Sequence, residues 1–121
     1  MKDINLNIVA TSGGATTVYV PVRDRGIVVD LKAATNKNVS AADTIDIQRG
    51  STSVNKITVG SSNTSAGTVL TGTRDASNSE LVFDPSSASS GVNVMKVVVS
   101  ALSSASTVVS LAIQYDEMAI T

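Results

Sequence analysis

The side chains here that can move a proton or hold an ion are ten carboxylates and little else. His and Cys are absent, which removes the commonest base near neutral pH and the thiolate nucleophile. A Ser-His-Asp triad cannot be assembled. Two carboxylates facing each other across a cleft would cleave glycosidic bonds. Asp43 and Asp46 fall near the start of one expected strand, and Asp116-Glu117 follow the last one. Asp24, Asp30, Asp75, Glu80 and Asp84 are scattered. This spacing reads as solvated loops and strand ends, so no catalytic residue is expected.

A cation is the second chemistry to weigh. Asp75-Ala76-Ser77-Asn78-Ser79-Glu80 carries hard oxygen ligands, but nothing matches the Asp/Asn, Gly and Glu spacing of an EF-hand loop. A polar hairpin turn is the expectation, with no metal and no cofactor. Gly13-Gly14 and Gly72-Thr73-Arg74 are not phosphate loops, because neither glycine-rich spacing occurs and no strand leads into a helix. Arg23 and Arg25 flank Asp24 and could grip a partner's carboxylate bidentately, or simply form a solvated turn. With Tyr19 they are the residues expected to touch a partner.

The elements that would position these groups are strands. Val, Ser, Thr and Ile number 18, 18, 13 and 8, a composition that suits pleated sheets. Apolar residues alternate with polar ones over residues 4–10, 17–22, 27–33 and 44–48, and residues 54–59 read as a further strand. In the third run Ile27, Val29, Leu31 and Ala33 form the apolar set. Pro21 cannot donate a ladder hydrogen bond, so the second run lies at a sheet edge or ends there. Further strands are expected at 68–73, 81–83, 92–102 and 107–115. Residues 11–16, 23–26, 36–42, 49–52, 60–63, 86–91 and 103–106 are turns or loops. Eight or nine short strands at this spacing predict an all-β fold, an antiparallel β-sandwich of jelly-roll-like type. Residues 1–121 form one domain, with residues 1–10 either its first strand or an arm that pairs with a neighbour. At 12.3 kDa, roughly two thirds of the unfolded surface can be buried, which supports one core without disulfides.

Composition also bounds the partners. Tyr19, Phe83 and Tyr115 are the only aromatic residues and the net charge is −1. There is neither a stacking platform nor a basic field for nucleic acid. The longest apolar runs are three residues, as at Val97-Val98-Val99, so no membrane span and no export signal are expected.

One family pattern is visible. Tyr19-Val20-Pro21-Val22, a short turn, then Gly26-Ile27-Val28-Val29-x-Leu31 is similar to the opening of small phage capsid decoration (cement) proteins. Ala41-Ala42-Asp43-Thr44-Ile45-Asp46-Ile47, the turn Arg49-Gly50-Ser51, the Ser/Gly-rich stretch 58–73, residues 78–84 and a final Val-rich hairpin over 94–115 continue the resemblance. It implies a β-sandwich made in the host cytoplasm that binds the outside of an icosahedral head. There it would bridge major capsid subunits and stabilise the virion as a symmetric homo-oligomer, often a trimer. The competing expectation is a carbohydrate-binding or adhesin-type module of a fibre, which needs aromatic sugar platforms. An enzyme is not expected.

Overall fold

Alternation of β-branched with polar residues builds strands with one wet and one dry face. The computed structural model describes residues 2–11, 13–40, 43–59, 64–75, 81–89, 91–101 and 107–117. Among these residues the strands are β1 (Lys2–Ala10), β2 (Thr16–Pro21), β3 (Gly26–Thr35), β4 (Thr44–Arg49), β5 (Thr52–Thr58), β6 (Leu70–Thr71), β7 (Thr73–Arg74), β8 (Val94–Val99) and β9 (Thr107–Glu117). They form two antiparallel sheets, ordered β1-β9-β3-β6 and β2-β8-β4-β5-β7. With β7 set aside as an appended edge, this is the strand order of a jelly roll. The chain changes sheets at nearly every connection, and the β4–β5 hairpin stays within one.

The first strand pairs with the last over nine residue pairs, from Lys2 opposite Tyr115 to Ala10 opposite Thr107. Residues 2–10 are thus an edge strand of their own sheet. Pro21 ends β2, which is the edge strand its sequence predicts. The core between the sheets is made of Val28, Leu31, Val109, Leu111, Ile113 and Tyr115 on one side and Ile45, Ile47, Val54, Ile57, Met95, Val97 and Val99 on the other. Each such side chain contributes about 1.5–3 kcal/mol before its entropy cost.

Four sequence expectations need correction. The run 68–73 is not one strand: β6 and β7 belong to different sheets, and Gly72 carries the chain between them. Residues 81–83 form no strand. Phe83 instead makes a single bridge with Gly26, exchanging N–H to O bonds of 2.8 and 3.0 Å. The strand expected over 92–102 is confined to Val94–Val99. In β3 the register shifts between Val28 and Asp30. This bulge brings Val28 into the core while Ile27 and Val29 stay half-buried, so the inward set is Val28, Leu31 and Ala33. The loops expected at 60–63 and 103–106 lie outside the described residues.

Candidate functional site

The turn between β2 and β3 places Arg23, Asp24 and Arg25 at one corner of the sandwich. Asp24 is committed within the chain. Its Oδ2 accepts from Lys2 Nζ at 2.6 Å, its carbonyl accepts from the Tyr115 hydroxyl at 2.8 Å, and Glu117 lies 3.3 Å from the same ammonium. The hydrogen bonds to Asp24 and then Glu117 hold the Lys2 pKa above its ordinary value. These contacts tie the start of β1 and the end of β9 to the corner. Arg23 is exposed and Arg25 half-buried, and with Asp84, Pro85 and Ser86 they line a cavity of about 270 Å³. Asp84 accepts from the Ser86 hydroxyl at 2.7 Å and from its N–H at 3.0 Å. Those bonds, helped by the nearby Arg25 charge, hold its carboxyl below the usual range.

Tyr19 is not part of that corner. It is 60% exposed on the wet face of β2, opposite Lys96 of β8. The four expected contact residues therefore divide between a corner and a face. The Lys2–Asp24 pairing spans 22 positions and leaves no local mark in the sequence.

Among the described residues Asp43 and Asp46, close in sequence, hold separate hydrogen-bond partners. Asp43 accepts from the Ser40 N–H at 3.0 Å within its own loop. Asp46 is buried on the outer face of the second sheet, accepting from Gln48 Nε2 at 2.8 Å and Ser53 Oγ at 2.6 Å. Among the described residues no three acidic side chains converge on a point that could hold a metal ion. Of the proposed cation loop only Asp75 is described. Phe83 and Tyr115 are 0% and 2% exposed, so Tyr19 alone presents an aromatic face to solvent.

Another surface feature is one that strand patterning alone does not disclose. On the outer face of the first sheet, Asn5 sits opposite Ala112 and Asn7 opposite Ser110. On the other side of β9, Ala112 faces Lys32 and Ser110 faces Ala34. Small side chains on the middle strand between longer ones leave a trough of about 450 Å³, closed on the far side by Val69. Val69 is 63% exposed there, and Val9, 58% exposed, lies on the same wet face of β1 as Asn5 and Asn7. Lys32 is the charge among the lining residues, and it leans toward Asp30 at 4.0 Å and donates to Thr71 Oγ1 at 3.3 Å. The polar phase of each strand was readable, but the three strands' adjacency is a product of the fold.

Comparison with family models, with curated proteins and with solved structures gives no match to this chain.

Proposed function

We propose that this chain is a structural virion protein, a capsid decoration module that binds the outside of an icosahedral phage head and stabilises it by bridging major capsid subunits. The observation that carries the reading is the outer face of the first sheet. It is a trough of small, mostly neutral side chains on three adjacent strands, lined on one side by exposed Val69. Such a surface recognises another protein by shape, and repeated copies on a symmetric lattice add weak contacts through effective concentration. The resemblance of the sequence order to that of decoration proteins is the second ground for this reading, although a jelly roll by itself serves many functions. Burial of Phe83 and Tyr115 leaves a glycan only Tyr19 to stack on, which disfavours the adhesin reading.

The test is to mix the purified protein with empty heads of the virus that encodes it. Co-sedimentation and a higher rupture temperature of the heads are expected. Ala112→Arg, which fills the trough from an exposed position, should weaken binding at least about tenfold while leaving the fold intact. Failure to bind any capsid lattice overturns the proposal.

A further inference from the structure

The two long sides of the sandwich are finished differently. On one side the sheets end in β6 and β7, two residues each. On the other they end in β1 and β2, and here the inward-facing side chains are incompletely covered. Ile4, Leu6, Val18 and Val20 are only partly buried, although they pack against the core. Beside them Ile4, Val20, Pro21, Val22 and Tyr115 form much of the lining of a cavity of about 180 Å³. Proline ends β2. By contrast β1 runs nine residues without proline or register shift, and among the described residues no strand lies beyond it. A long regular edge with unpaired N–H and C=O groups is a template for another strand.

We propose that the free edge of β1 pairs antiparallel with β1 of a second copy of this chain, about a twofold axis through Leu6. That register uses the whole strand. On the outer face it sets Asn5 against Asn7 and Asp3 against Val9; on the inner face it sets Ile4 against Ile8, Leu6 against Leu6 and Lys2 against Ala10. No like charges oppose each other, and the charged end of each strand meets the neutral end of its partner. A parallel pairing would stack Lys2 on Lys2 and Asp3 on Asp3, which is unfavourable. The twofold also brings the two apolar seams together, so each copy covers the part of Ile4 and Leu6 that its own sheets leave open. A threefold ring would instead need β1 to meet a different edge of the next copy. The described alternatives are six residues ending in proline or two residues.

This pairing does not rest on the capsid reading, and its test uses the purified chain alone. Native mass spectrometry and sedimentation, at concentrations up to about 100 μM, should give a dimer. Asn5 and Asn7 are exposed and lie beside Ala112 and Ser110 within the chain, so charge can be introduced without disturbing the core. The double variant N5K/N7K places Lys opposite Lys twice and should raise the dissociation constant by about tenfold or more. N5K/N7E places Lys opposite Glu twice and should keep the dimer. Unchanged thermal melting of both variants under monomeric conditions establishes that they fold. A wild-type monomer or trimer, or variants that fail to separate in this order, overturns the proposal.

Discussion

Tyr115 joins the core to the corner of the molecule. Its ring is buried on β9, while its hydroxyl donates to the carbonyl of Asp24. Burial, and then the charges of Asp24, Glu117 and Asp84, push the phenol from 10.0 up to about 12. A group whose pKa is higher in the folded chain stabilises it fully below the unfolded value and loses that contribution as pH rises through the folded one. Lys2, also raised, has the same sign. Urea denaturation should therefore show stability falling as pH climbs from 10.0 to about 12. Tyr115→Phe keeps the ring and removes the hydrogen bond; it should cost about 1 kcal/mol at neutral pH and flatten the alkaline fall. Gly26 sets a second residue-level limit. A Cβ there would lie 2.7 Å from Tyr115 Cε2 and would also clash with the Asp116 carbonyl. Since backbone on that side cannot yield cheaply, Gly26→Ala should cost about 1–3 kcal/mol in the same assay.

At the scale of elements, the crossing from β6 to β7 is the tightest passage. Gly72 donates its N–H to the Leu31 carbonyl at 2.7 Å, and a Cβ on it would run into Asn55 Oδ1 and approach Leu31 Cβ at 3.1 Å. Asn55 is fully buried on β5, and neither of its side-chain polar atoms has a hydrogen-bond partner among the described residues. An unpaired buried amide costs about 1–3 kcal/mol. Two outcomes follow for thermal and urea melts. Gly72→Ala alone should destabilise by about 2 kcal/mol, through overpacking. Asn55→Ala should be close to neutral, because the cavity it opens is offset by the lost unpaired amide, and the double variant should be more stable than Gly72→Ala by at least about 0.5 kcal/mol. The same region marks where the sequence stops being legible. Alternation located β1, β2, β3, β4 and β9 closely, and Pro21 marked the edge strand that it ends. Val54 and Ile57 already break the period of two, and the register shift between β4 and β5 is the reason: both Val54 and Asn55 turn inward. In β3, alternation continued smoothly on paper because Ile27, Val28 and Val29 are all apolar, so the bulge had no contrast to reveal it. The ion pair at Asp24 and the trough on the first sheet join residues from distant strands, and no local pattern encodes such meetings.

For the whole molecule, the governing fact is that the first strand lies between the open side of the sandwich and the last strand. Closing residues 2–10 onto 107–117 orders nearly the full length of chain before those contacts stabilise anything, so refolding followed by stopped-flow should take roughly milliseconds to seconds. The same topology separates two roles for the N-terminal segment. An arm that served only to grip a neighbour could be removed without loss of the fold. Here Ile8 and Ala10 are buried in the core, and β1 covers one edge of β9 over nine pairs. Deletion of residues 1–10 should therefore abolish cooperative melting by circular dichroism and expose dye-binding apolar surface. Because the missing element is a single strand with its register fixed by β9, a synthetic peptide of residues 1–11 added in trans should restore melting, as an added strand completes a sheet. If the truncated chain melts cooperatively without the peptide, β1 is dispensable to the sandwich, and its edge would then be free to detach and pair elsewhere. If it melts only with the peptide, β1 belongs to the fold, and any neighbour it contacts must use its outer edge while the inner one stays on β9.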